Sequence, residues 1–149
     1  MKMNLDDWLK NGWLIEHRPS AREITDLLAA VARDLADCQV PALSEDWRFN
    51  IAYNAALQAA TAALAAEGYR SAREQHHFRI IQSLAFTIGA EKDVVDLFDR
   101  FRRKRNFGTY ERAGAVSEHE VEQVLELAQG LKGQVEKWLR EKHPELIVG

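Results

Sequence analysis

Ser44-Glu-Asp-Trp-Arg-Phe49-Asn-Ile-Ala-Tyr53-Asn-Ala-Ala-Leu57-Gln-Ala-Ala-Thr-Ala-Ala-Leu64-Ala-Ala-Glu-Gly68 reads as one long helix. A start near Ser44 puts Glu45 and Asp46 at the positive end of the helix dipole, and Gly68 stands where a left-handed C-terminal cap belongs. Between those ends the alanine side chains favour the helix and let neighbouring helices approach closely.

Outward from this helix the chain keeps the same grammar. Ser20-Ala-Arg-Glu23, Ser71-Ala-Arg-Glu74 and Ser117-Glu-His-Glu120 each spell a capping box, in which serine and glutamate satisfy opposite backbone donors. Behind the first, Ile24, Leu27, Leu28, Val31 and Leu35 form one apolar stripe. Behind the second, Phe78, Ile81, Leu84, Ala85 and Ile88 do so up to Gly89. Behind the third the stripe is Val121, Val124, Leu125, Ala128, Leu131, Val135 and Trp138. No segment alternates apolar and polar residues, so the pattern predicts an all-α, up-and-down helical bundle with five main helices near 20–37, 44–67, 72–88, 91–106 and 117–142. Residues 1–18, with Trp8 and Trp13, are expected to form a short helix or hook over one end, and 144–149 a tail.

The 149 residues suit a single domain spanning 1–149, with no Pro/Gly/Ser-rich linker to divide it. A net charge of −3 argues against a generally basic nucleic-acid binder, so any contact with RNA must be local. The single cysteine, Cys38, excludes an intramolecular disulfide, and the N-terminus lacks the apolar run of a signal peptide; together they predict a cytoplasmic protein. No stretch approaches the roughly 20 apolar residues of a membrane span, and no membrane association is expected.

One local feature breaks the pattern. In Phe101-Arg102-Arg103-Lys104-Arg105-Asn106-Phe107-Gly108-Thr109-Tyr110 a helix runs into a cationic patch. A step of about 100° per residue puts Arg105 roughly 20° from Phe98, on the apolar stripe of Val94, Phe98 and Phe101. A guanidinium on such a seam raises the free energy of the fold unless something pairs with it, which points to an anionic ligand or a partner surface. Arg100, Arg103 and Lys104 fall on the opposite side, where cations complement the negative end of the helix dipole. Asn106 and Gly108 suit a helix end, and Asn106 also has an amide able to orient a phosphate or Arg105.

His76 and His77 are adjacent and so point about 100° apart on a helix, which does not make a shared metal position. Neither a Cys/His metal spacing nor a nucleophile with a placed base is written in the chain, and no metal or cofactor is expected.

The Arg-x-x-Arg-Asn-x-x-x-Tyr end of that helix, the preceding helix from Ile51-Ala-Tyr53 to Gly68-Tyr69-Arg70, and a further helix opening with Gln75-His76-His77 resemble the HEPN domain over most of the chain. The family signature is an arginine followed by a polar residue and, after four to six positions, a histidine. Arg105-Asn106 matches its first half, and Tyr110 stands where the histidine would be, as in a recurrent variant. The resemblance implies an RNA-directed protein whose catalytic residues are Arg105, Asn106 and Tyr110, with Arg102, Arg103, Lys104 and Arg105 binding nucleic acid or nucleotide. It implies a homodimer that joins two such ends, acting as a metal-independent endoribonuclease or toxin-like effector. The alternative is a non-catalytic, nucleotide-binding HEPN subunit that partners a small nucleotidyltransferase, as antitoxin or transferase. Tyr110, with a reference pKa near 10, is a poor general base in either case.

Overall fold

The computed structural model describes residues 3–73, 76–108 and 116–147, and for 106–108 the backbone alone. In chain order it contains α1 (Leu5–Lys10), β1 (Leu14–Glu16), α2 (Ala21–Asp37), α3 (Glu45–Ala66), β2 (Tyr69–Ser71), α4 (His76–Ser83), α5 (Lys92–Gly108) and α6 (Glu118–Lys142), then a short 3-10 turn at Pro144–Leu146. The all-α helical bundle expected from the sequence is the fold, with one small sheet added.

The alanine-rich α3 is its axis. Ala52, Ala55, Ala56, Ala59, Ala60, Ala62 and Ala63 are all fully buried, so a broad face of the helix is covered, while Trp47 and Asn54 stay exposed on the other side. It packs most extensively on α2 and α6 and also touches α4, α5 and β2. Between α2 and α3 the buried Asp34 carboxylate accepts hydrogen bonds from Asn54 (3.1 Å) and Gln58 (2.7 Å), which compensates its burial. The seat of α5 on α3 is aromatic. Phe101 meets Phe49 and Phe98 meets Tyr53 edge to face, with ring centres 5.6 and 5.7 Å apart, pairs that contribute about 0.5–1.5 kcal/mol each beyond their area.

The helix ends follow the chemistry of the caps. Ser44 accepts from the Trp47 amide and Ser117 and Glu120 form a complete capping box. Ser20 caps α2, but Glu23 turns its carboxylate to His17 Nε2 at 2.8 Å, so that box is half made. Of the box expected at Ser71, Glu74 lies outside the described residues, and Ser71 does not precede a helix directly. Ser71 lies in β2, which pairs antiparallel with β1 in the register Leu14 to Ser71, Ile15 to Arg70 and Glu16 to Tyr69. Pairing takes up the backbone there, and α4 starts five residues later than the serine, at His76. It also ends early, at Ser83, whose hydroxyl bonds the Ile80 carbonyl at 2.6 Å before the chain turns to Gly89 at φ +67°. The expected 72–88 helix is therefore shorter at both ends.

The N-terminal hook is α1 with β1. Trp8 is buried, and the Arg79 guanidinium of α4 lies 3.8 Å over the Trp13 ring and 5.5 Å from the Trp8 ring. At the other end Leu146 is buried and Ile147 packs on the core, and residues 148–149 of the expected tail lie outside the described residues. Among the described residues no helix is long and apolar enough to cross a membrane.

Candidate anion site at the junction of α3, α4 and α5

Four cations follow one another on the last turns of α5, and the fold gives each a different task. Arg103 is 61% exposed and reaches the Asp99 carboxylate only at 3.6 Å. Lys104 was expected on the solvated side with a role in nucleic-acid binding; instead it is half-buried and bonded to Glu120 at 2.6 Å, tying α5 to the start of α6. Partial burial opposes ionisation of Glu120, yet the bonds from Lys104 and Ser117 outweigh it and hold the carboxyl below the usual range.

Arg102 and Arg105 face inward. Arg102 donates from Nε to Asp99 at 2.7 Å and lies 5.4 Å over the Phe78 ring of α4. Its pairing with a carboxylate one helical turn back fixes the direction of the fork. Arg105 is half-buried on the seam where the spacing put it, with its guanidinium carbon 5.2 Å over the ring of the fully buried Tyr53. It is an engaged side chain, and the aromatic face is one of its partners.

Tyr53 links this cation to a second titratable group. Its hydroxyl is 3.2 Å from His77 Nδ1, and the two rings are 6.0 Å apart. Burial pushes the Tyr53 phenol up to about 12, an effect that the charges of Arg105 and Arg102 only partly offset. The phenol is thus neutral and carries one proton. We assign that proton to the bond with Nδ1, which leaves the ring proton of neutral His77 on Nε2. Burial lowers the His77 pKa, and the nearby charges of Arg105, His76 and Arg102 lower it further. His76 is held separately, its Nδ1 2.6 Å from the Ser71 hydroxyl.

Of the residues expected at the site, then, Arg102 and Arg105 come together, Arg103 stands beside them in solvent, and Lys104 is bound elsewhere. Asn106 lies on the α5 backbone, with its side chain outside the described residues, and so does Tyr110 entirely. Sequence reasoning missed the site role of Tyr53 and His77. The available signal was the Tyr53 hydroxyl on the apolar, alanine-rich side of α3, which needs a polar partner when buried. A separate cavity of about 330 Å³ between α5 and α6, lined by Val94, Leu97, Leu127 and Leu131 among others, holds none of these groups.

No protein-family model matches the chain, and no curated protein matches it. What the site can do is therefore argued from its groups: two guanidiniums, one braced by a carboxylate and one over the Tyr53 ring, with the His77 imidazole on the Tyr53 hydroxyl. That set suits an oxyanion, and phosphate above all.

Proposed function

We propose that this chain is a HEPN-type, RNA-directed protein whose phosphate site is built on Arg102 and Arg105, and that it acts as a metal-independent endoribonuclease. The observation that carries the reading is Tyr53, whose hydroxyl is 3.2 Å from His77 Nδ1 and whose ring lies 5.2 Å under the Arg105 guanidinium. The motif lacks its histidine because Tyr110 takes that position, and His77, linked to Arg105 through Tyr53, is a group able to exchange a proton, with its pKa held below the usual histidine value. In cleavage through the ribose 2′-hydroxyl, negative charge builds on a five-coordinate phosphorus, and preplaced guanidiniums stabilise that charge more than they stabilise the ground state. Two copies joined at their α5 ends would bring two such arginine sets to one strand.

The proton on Nε2 also favours a second reading. A site that donates from three groups holds a phosphate well without turning it over, which fits a nucleotide-binding HEPN subunit working with a small nucleotidyltransferase.

Incubation of the purified protein with total RNA, with and without chelator and beside Arg105→Ala, separates these readings. Loss of an oxyanion-stabilising donor lowers such a rate by about 10²–10³-fold, so chelator-resistant cleavage that collapses in Arg105→Ala supports the nuclease. Binding without cleavage, lost in the same variant, supports the subunit. RNA neither bound nor cut overturns both.

A further inference from the structure

Three of the four half-buried arginines among the described residues are committed. Arg48 donates to the Cys38 carbonyl at 2.8 Å, Arg102 donates to Asp99 at 2.7 Å, and Arg105 is engaged beyond its contact with the Tyr53 ring. The fourth, Arg79, meets rings: Trp13 at 3.8 Å, Phe78 at 5.4 Å and Trp8 at 5.5 Å. Among the described residues no carboxylate lies within 4 Å of it, and none accepts a hydrogen bond from it. A ring faces the charge but leaves the five N–H donors of the fork without an oxygen acceptor. Burial lowers the Arg79 pKa with no carboxylate to offset it, and the guanidinium nonetheless stays charged.

This fork stands next to the site already described. Phe78 precedes Arg79 on α4, and the guanidinium carbons of Arg79 and Arg102 each lie 5.4 Å from the centre of its ring, so the two cations are at most twice that distance apart. One or two nucleotide steps of an extended strand span such a gap, and cations interleaved with aromatic rings are a common way of holding a single strand. We infer that Arg79 is a second phosphate-binding residue, which takes the phosphodiester one or two nucleotides along the strand from the phosphate at Arg102. This subsite rests on the RNA-directed reading above and lies on α4, outside the α5 motif. Trp13 does for Arg79 what Asp99 does for Arg102: it restricts the direction of the guanidinium, so less freedom is lost when phosphate binds. Unlike a carboxylate, the indole leaves the whole fork available. Trp13 stands just before β1, so the N-terminal hook becomes a supporting part of the site.

The probes are 2′-deoxy oligouridylates with free 5′-hydroxyls, which cannot be cut through the 2′ position: a dimer with one phosphodiester and a tetramer with three. Arg79→Met keeps a long side chain on the indoles and removes the charge. Calorimetric titration should show the tetramer weakened about tenfold in this variant. The slope of log K against log salt concentration should shrink by about 0.7, the share of one phosphate contact on a single strand. The dimer, whose phosphate sits at Arg102, should bind as before. Arg79→Lys should restore the slope without the full affinity, because it restores the charge without the fork. In the ¹H–¹⁵N spectrum, sulfate should shift the Arg79 Nε–H resonance saturably. Tetramer affinity and slope unchanged in Arg79→Met overturn the inference. So does an equal loss for dimer and tetramer, which would make Arg79 a brace of the hook. RNA binding or cleavage that depends on Arg105 with no effect of Arg79→Met sinks the subsite and leaves the function standing. A saturable sulfate shift at Arg79 in a protein that ignores RNA keeps the anion subsite and removes the RNA reading, and the absence of both overturns the two together.

Discussion

At the scale of residues, the pair Tyr53 and His77 makes the sharpest statements about pH. Tyr53 ionises at about 12 in the fold and near 10 when unfolded, so the folded state binds more protons in that window. Its contribution to stability is complete below pH 10 and disappears as pH rises toward 12. A spectrophotometric titration should find one of the three tyrosines ionising only in that range, and Tyr53→Phe should remove it. His77 has the opposite sense. Its pKa is lowered in the fold, so the unfolded chain binds more protons just below the usual histidine value, and stability falls as pH drops through about 6.5. Denaturant unfolding at pH 7.5 and 5.5 should show a smaller loss in His77→Gln than in the wild type; an equal loss would assign the acid sensitivity to another group. Arg105 was legible in the sequence because one angle on one helix exposed it. His77 was not, because the partner that gives it meaning is 24 residues away on another helix, and adjacency to His76 drew attention to metals instead.

Elements divide in the same manner. Five helices could be read from period and caps because both are local, and α3, α5 and α6 lie within two residues of their expected bounds. The β1–β2 ribbon could not, since three residues per strand are too few to show alternation, and its pairing is what displaced the start of α4. Lys104 was misplaced for a related reason: its partner Glu120 belongs to the next helix, so angular position on α5 alone gave the wrong surroundings. The packing of α5 on α3 separates fold from site. Phe98→Ala removes a fully buried ring from that seat and should cost about 3–5 kcal/mol. Arg105→Ala gives up a cation over an aromatic face, roughly 0.5–2 kcal/mol, and should remain folded at 25 °C. If chemical denaturation finds the two equally damaging, Arg105 is a structural residue. On the opposite logic, Ala60→Leu enlarges a fully buried position of α3 and should lose about 1–3 kcal/mol by overpacking; an unchanged midpoint would mean that the neighbouring helices have room to move.

For the whole molecule, the proposed activity asks for two copies. A dimer joined near the α5 ends would bury on the order of 1,200–2,000 Å² in total, and light scattering at micromolar concentration should give twice the 17.0 kDa chain mass. A monomer under those conditions would leave each arginine set to work alone and would weaken the nuclease reading more than the nucleotide-binding one. The N-terminal hook adds a practical consequence. Trp8 and Trp13 sit on Arg79, and Arg79 is two residues along α4 from His77. Indole emission responds to nearby charge, so these rings form a built-in fluorescent gauge of the helix that carries the imidazole. With Trp47 and Trp138 replaced by phenylalanine, the remaining signal would let occupancy of the site be followed in real time without any label.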